Sequence, residues 1–258
     1  MNEHVIALHD VVQRFPGAEQ AALSGISLEI RQGEFVAIVG PSGSGKTTLL
    51  RLVNRLANPS AGEVLVEGEA IAASDPVRLR RRIGYVFQGI GLFPHMSVAE
   101  NISITPRLLG WNAEKMQKRV GELLALVRLP DDYRSRMPDE LSGGERQRVG
   151  VARALAAKPN IMLMDEPFGA LDPVTRDALT RDYRALHEEL GLTSLLITHD
   201  VLEALLLADR IVVLNRGCIV ETGSPAELMR APKHEFTRRL MEMPEQQAKR
   251  LAALLQVH

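Results

Sequence analysis

Phe35-Val-Ala-Ile-Val39, Gly40-Pro-Ser-Gly-Ser-Gly45-Lys46-Thr47 and Thr48-Leu-Leu-Arg-Leu-Val53 follow one another without a break. The first run is apolar at every position, as expected of a parallel strand buried on both faces. The third reads as a helix. The stretch between them fits G-x-x-x-x-G-K-[ST]. Glycines let a backbone wrap closely round phosphate, in conformations that a Cβ would obstruct. The amide N–H groups of Gly40, Pro41-flanked Ser42, Gly43, Ser44 and Gly45 then form an anion nest that the helix start at Lys46, Thr47 and Thr48 completes. Lys46 would set a cation against the terminal phosphates of a nucleotide. The Thr47 hydroxyl would ligate Mg²⁺.

Working outward, Ile161-Met-Leu-Met164, Ser194-Leu-Leu-Ile-Thr198 and Ile211-Val-Val-Leu214 repeat the all-apolar pattern, with helical stretches between them. That alternation predicts an α/β fold with a mostly parallel sheet and crossover helices. Ile26-Ser-Leu-Glu-Ile30 alternates apolar and polar, and Val64-Leu-Val66 lies between glycines, so both read as half-exposed strands. Residues 89–140 are loop-rich and then helical. Asn112 can cap a helix in which Met116, Val120, Leu123, Leu124 and Val127 share a face. The expected organisation is a core from 1–88 and 155–228, a helical insert at 89–154 and a short helical tail at 229–258. Arg78–Arg82 holds four arginines in five positions and reads as a solvated helix face or turn surface.

Composition excludes several classes. The 258 residues are 45% hydrophobic and 24% charged, with net charge -1 and 4% aromatics. A strongly basic nucleic-acid binder is not expected, nor an aromatic stacking platform for single strands. The one cysteine, Cys218, allows no internal disulfide and no Cys-rich zinc site. No apolar run approaches the roughly 18 residues of a spanning helix. The opening MNEHVIALHD lacks the order of a signal peptide. A chain residing in a reducing compartment is expected.

Two further constellations carry chemistry. Asp165 and Glu166 end a buried strand, where α/β proteins bind ligands. Asp165 is the natural Mg²⁺ partner, and Glu166 the candidate base or water-orienting group. Ser142-Gly-Gly-Glu145 is an S-x-x-E capping box. Its two glycines are odd for a helix start, since each costs about 1 kcal/mol against alanine. It is either a plain cap or a second phosphate-binding surface made of Ser142, Gly143 and Gly144.

Leu141-Ser-Gly-Gly-Glu-Arg-Gln-Arg148 resembles the signature sequence of ABC-type ATPases, and Ile161-Met-Leu-Met-Asp-Glu-Pro167 is similar to their Walker B strand. The phosphate loop, Gln88, Ala170-Leu-Asp172 and His199 complete the set in family order over about residues 1–230. The resemblance implies a P-loop NTPase (RecA-like) core with an N-terminal antiparallel β subdomain and an inserted helical subdomain. It implies ATP and Mg²⁺ as ligands. Gln88 would sense metal and attacking water, His199 would contact the γ-phosphate, and Asp172 would communicate between monomers. Phe15 would stack on adenine, at a position that is often tyrosine. Two copies would pair head to tail, so that Ser142 and Gly144 meet the nucleotide held by the partner.

Gln88-Gly-Ile-Gly-Leu-Phe-Pro-His-Met-Ser-Val-Ala-Glu-Asn-Ile102 resembles the corresponding segment of bacterial import ATPases. Thr105-Pro-Arg-Leu-Leu-Gly-Trp111, Asn54-Arg-Leu56 and Arg80-Arg-Arg-Ile-Gly-Tyr85 look closest to importers of quaternary amines such as glycine betaine, choline or carnitine. Phe93 and Trp111 are contact aromatics or plain core. The implied partners are transmembrane permease subunits and an extracytoplasmic substrate-binding protein, at the cytoplasmic face of the inner (plasma) membrane, with no nucleic acid. The sequence given ends at His258, so the paired regulatory (CBS) modules of many such importers are not expected in it. Alternatives are another ABC importer or exporter ATPase, a soluble ABC ATPase of DNA repair or translation, and a non-hydrolysing module, against which Glu166 argues.

Overall fold

The computed structural model describes residues 4–255 apart from Ile90 and Ala170. Ile90 of the Gln88–Ile102 stretch, Ala170 of Ala170-Leu-Asp172, the first three residues and the last three of the tail therefore lie outside the described residues.

The chain runs β1 (His4–Gln13), β2 (Leu23–Arg31), β3 (Phe35–Val39), α1 (Lys46–Val53), β4 (Ala61–Val66), β5 (Glu69–Ala70), α2 (Pro76–Arg82), β6 (Ile83–Val86), α3 (Val98–Leu108), α4 (Ala113–Leu126) and α5 (Gly143–Leu155). It continues as β7 (Ile161–Asp165), α6 (Pro173–Leu190), β8 (Thr193–Thr198), α7 (Val201–Leu207), β9 (Arg210–Asn215), β10 (Cys218–Gly223), α8 (Pro225–Arg230) and α9 (Glu235–Leu255). One sheet has the order β10-β9-β3-β8-β7-β6, parallel throughout except for β10. The other, β2-β1-β4-β5, is antiparallel. This is the P-loop NTPase fold expected from the sequence.

Strand β3 explains the layering. Its side chains alternate between faces. Phe35, Ala37 and Val39 join a core with Phe168, Tyr183, Val201 and Ala204, while Val36 and Ile38 join another with Leu49, Leu50 and Val53 of α1 and the apolar face of β1 and β2. All five residues of β3 are fully buried, which is what its unbroken apolar run requires. By contrast Ile26, Leu28 and Ile30 are buried and Ser27 and Glu29 exposed, matching the alternation.

Between β6 and β7, α4 is capped by Asn112, whose side chain accepts from the Lys115 amide, and buries Val120, Leu123 and Leu124. Met116 is only partly buried. The arginine cluster does more than face solvent. In α2, Arg80 donates to the carbonyls of Asn54 and Arg55, and Arg82 pairs with Glu67 and Glu69. Toward the end of the chain, α8 starts at a Ser224 capping box with Pro225 in its first turn, so it spans position 228/229. The tail is packed rather than peripheral in its first half: Met241 is buried in the core that holds Phe35, with Met229, Phe236 and Leu240 packed against it.

A polar knot lies behind Phe35. The His187 ring nitrogen Nδ1 is 2.9 Å from Ser194 Oγ, which is 3.0 Å from the Tyr183 hydroxyl. Burial holds the His187 imidazole below its ordinary pKa, and the nearby Arg184 guanidinium adds to this. An unfolded histidine takes up a proton near pH 6.5. The folded one resists until lower pH, so stability is full above that value and falls as pH drops below it. Glu203, pushed up to about 7 by burial, acts in the opposite sense. The expected outcome is therefore a difference: on going from pH 7.5 to 5.5, His187→Gln loses less denaturant stability than the parent. Equal losses would contradict this account of His187.

Candidate nucleotide site

Parallel strands end at one edge of the sheet, and their register decides which residues meet there. Val39 pairs with Thr198, Asp165 with Ile197, and Val86 with Met164. The residues that follow these pairs are the phosphate loop, His199, Glu166 and Gln88. A cleft of about 280 Å³ opens there, lined by Ala22, Ser42, Gly43, Gly45, Lys46, Thr47, Thr48, Gln88 and Glu166.

Gly45 caps α1 at φ 104°, and a Cβ there would lie 2.4 Å from the Ala22 carbonyl oxygen. The glycine thus serves a close approach of the β1–β2 loop as well as a free path for phosphate. Lys46 folds back over the loop, with Nζ donating to the carbonyls of Gly40 at 2.8 Å and Pro41 at 3.0 Å. Two of its three ammonium protons are so engaged. Burial lowers its pKa, opposed by the carboxylates of Glu166 and Asp165.

Thr47 Oγ1 donates to Asp165 Oδ1 at 3.3 Å. Asp165 is 5% exposed, and burial raises its carboxyl pKa, against the pull of the Thr47 hydrogen bond. A buried carboxylate of this kind is stabilised by a cation. Glu166 leaves the strand in the left-handed region, at φ 46°. For a residue other than glycine this costs on the order of 1–3 kcal/mol and clusters at functional sites. The turn is pinned by its amide, which donates to the Ile197 carbonyl at 2.9 Å. It aims the side chain at two partners: Gln88 Nε2 donates to Oε2 at 3.1 Å, and His199 Nδ1 lies 3.2 Å from Oε1. Gln88, Glu166 and His199, far apart in sequence, are thus brought together.

The remaining sequence-derived candidates lie apart from this cleft's lining. Phe15 is exposed at the end of β1, and Ala22 lines the cleft from the same loop. Asp172 N-caps α6, accepting from the amides of Val174 and Thr175, and its carboxyl pKa is lowered by the Thr175 hydroxyl first and by these amides second. Ser142 N-caps α5. Its Oγ accepts from the Glu145 amide at 3.3 Å, and its own amide donates to Glu145 Oε2 at 2.7 Å. The Tyr133 hydroxyl donates to Glu145 Oε1 at 2.6 Å, and this bond, with the Ser142 amide, holds the Glu145 carboxyl below its usual range.

The two glycines of this cap differ. A Cβ on Gly144 would lie 2.5 Å from Thr175 Cγ2, whereas one on Gly143 would meet Leu171 at an ordinary 3.8 Å. Gly144 therefore has a packing reason, which the sequence pattern alone does not reveal, and Gly143 has none of that kind.

Residues 23–169 match the family described as ABC transporter. The chain belongs to the ABC transporter family. Relatives of this ABC chain include the glycine betaine/carnitine/choline transport ATP-binding protein OpuCA of Bacillus subtilis (strain 168), 51% identical over 90% of this chain and 61% of that protein. The glycine betaine uptake system ATP-binding protein YehX of Escherichia coli (strain K12) is 46% identical over 88% of this chain and 73% of its own length. The sulfate/thiosulfate import ATP-binding protein CysA of Xylella fastidiosa (strain 9a5c) is 50% identical over 83% and 62%. The chain thus spans about three fifths of the first and last of these. Among solved structures, the ABC fold is shared with a dimeric post-hydrolysis state of the ATP-binding cassette MJ0796 bound to ADP and Pi, at TM-score 0.78 and 35% identity, over 85% of this chain and 98% of that one.

One consequence of the Gly144 packing is directly measurable. Gly144→Ala destabilises the protein by roughly 1–3 kcal/mol, the usual cost of overpacking. Thr175→Ser in the same chain removes the opposing methyl and recovers most of the loss, read as a melting temperature. Two additive effects in the double variant would show that the contact does not constrain Gly144.

Proposed function

We propose that this chain binds and hydrolyses ATP as the cassette subunit of an importer of quaternary amines, working as a pair of identical copies. The observation that carries the reading is the convergence of Gln88 and His199 on Glu166, beside the Thr47–Asp165 pair and the phosphate loop.

ATP phosphates would be held by the loop Gly40–Thr48, through its amides other than that of Pro41, and by Lys46. A hydroxyl, a carboxylate and an amide oxygen are hard donors that suit Mg²⁺, which typically takes one or two protein carboxylates and completes its shell with phosphate and water. Thr47, Asp165 and Gln88 would hold it. Bound Mg²⁺ supplies charge neutralisation of the phosphate oxygens.

Glu166 is the group for accepting a proton from the attacking water. Each carboxylate oxygen carries about two acceptor sites. The bonds from Gln88 and His199 therefore fix its orientation and leave it able to accept. With Nδ1 of His199 turned to Glu166, Nε2 is left for the γ-phosphate, to which it would donate as the second N–H of an imidazolium. Ser142, Gly143 and Gly144 would close on ATP held by the second copy, with Asp172 at the contact between copies and Phe15 against adenine. The dimeric state named for the related MJ0796 cassette supports a pair.

The remaining partners are transmembrane permease subunits and an extracytoplasmic binding protein, with this chain on the cytoplasmic face of the membrane. The transport ATP-binding proteins among its relatives support this placement, and no described helix is long and apolar enough to cross a bilayer. The amine cargo rests on the glycine betaine and choline relatives. The 50%-identical sulfate/thiosulfate relative supports a second reading, an importer of another small solute, because it is as identical to this chain as the choline transport relative.

Glu166→Gln is expected to keep ATP binding while lowering turnover at least about 100-fold, as loss of a general base does. It should also accumulate an ATP-bound dimer in analytical ultracentrifugation. Undiminished steady-state turnover would refute the assignment. For the cargo, glycine betaine with its binding protein should stimulate ATPase of the reconstituted complex and sulfate should not.

A further inference from the structure

We propose that Arg176 is a positioning residue that clamps the loop after Glu166 to the loop after His199, and so sets the distance between those two side chains. The inference rests on the ATPase reading above and goes beyond its residues.

Arg176 stands one turn into α6. Its Nη2 donates to the carbonyls of Gly169 at 3.3 Å and Leu171 at 3.0 Å. Its Nη1 donates to Asp200 Oδ2, also at 3.3 Å. Asp200 follows His199 directly. It is itself held: its other carboxylate oxygen accepts from the amides of Leu202 and Glu203, and its own amide donates to Thr198 Oγ1. One planar guanidinium therefore ties two loops that come from different strands. A planar fork can serve acceptors on two sides at once, which a lysine ammonium on a flexible stem does poorly.

Gly169 links the clamp to the chemistry. Its amide donates to the Glu166 carbonyl, and the position of a Cβ on it lies 3.7 Å from His199 Cε1 and 3.9 Å from Glu166 Cβ. Gly169 thus lies beside both side chains. Where Arg176 holds Gly169, it holds the spacing of Glu166 and His199, which are 3.2 Å apart. The clamp is half exposed, its two partners being 32% and 33% accessible, so its worth lies in geometry more than in ion-pair energy.

The test uses the whole chain carrying Arg176→Ala or Arg176→Lys, with the parent and Glu166→Gln alongside. Arg176→Ala lowers kcat by roughly 10- to 100-fold, the scale of a misplaced reacting group, with KM for ATP within about twofold. Methylguanidinium partly restores kcat, methylammonium does not, and Arg176→Lys falls between. In nucleotide-free protein, amide hydrogen exchange speeds up at Gly169 and Leu171 and also at Leu202 and Glu203. Unchanged kcat, or faster exchange confined to Gly169 and Leu171, overturns the clamp. If the parent itself turns over no ATP, the ATPase reading fails, and the exchange measurement still decides whether Arg176 joins the loops.

Discussion

Val39 opposite Thr198 and Asp165 opposite Ile197 are the pairings on which the rest depends. In a parallel sheet every strand ends at the same edge, so one register delivers the phosphate loop, the two acids and the histidine to a single line. A shift of one residue would turn each side chain to the opposite face. The register is held by burial: β3, β7 and β8 have no exposed residue, so a one-residue slip would send each side chain into the opposite core, where its volume does not fit, and polar Asp165 and Thr198 away from the site. Full burial of one Val, Leu or Ile contributes about 1.5–3 kcal/mol. With eight such residues in these strands, register outweighs the roughly 1–3 kcal/mol of backbone strain at Glu166 by a wide margin.

That imbalance explains how the site can hold unfavourable features. Asp165 is buried beside a threonine, Lys46 is turned onto carbonyls, and Glu166 is left-handed. Each raises the energy of the chain without nucleotide. For Asp165 and Lys46 the cost is desolvation of a charge, which a cation or a phosphate offsets, so these two groups also favour binding. The cap at Ser142 follows the same logic in a milder form. Among the described residues three helices start with an S-x-x-E box, at Ser97, Ser142 and Ser224, and the one with glycines in its first turn is the one proposed to meet a second nucleotide.

Much of this was legible in the sequence, for physical reasons. All-apolar runs announce two-sided burial, and the loop Gly40–Thr47 has few uses besides phosphate. The caps at Asn112 and Ser142 are local, and local hydrogen bonds leave local patterns. What could not be read depends on contacts between distant residues. Thr175 against Gly144, Tyr133 on Glu145, and Arg176 between two loops join positions that only the fold brings together. The left-handed turn at Glu166 has no sequence mark, since glycine is the usual sign of such a conformation. Arg78–Arg82 shows the reverse. A charge run suggested solvent, and two of its arginines proved to be staples between α2 and its neighbours.

The central claim is that Lys46 of one copy and Ser142 of another act on the same nucleotide. The direct measurement mixes two inactive variants, Lys46→Ala and Ser142→Arg, and reads ATP turnover. In a mixed pair, one site combines an intact phosphate loop with an intact Ser142, and the other collects both defects. Random pairing makes about half the dimers mixed, so about a quarter of the parental rate is predicted if sites act independently. A mixture no more active than its separate components would contradict the shared site.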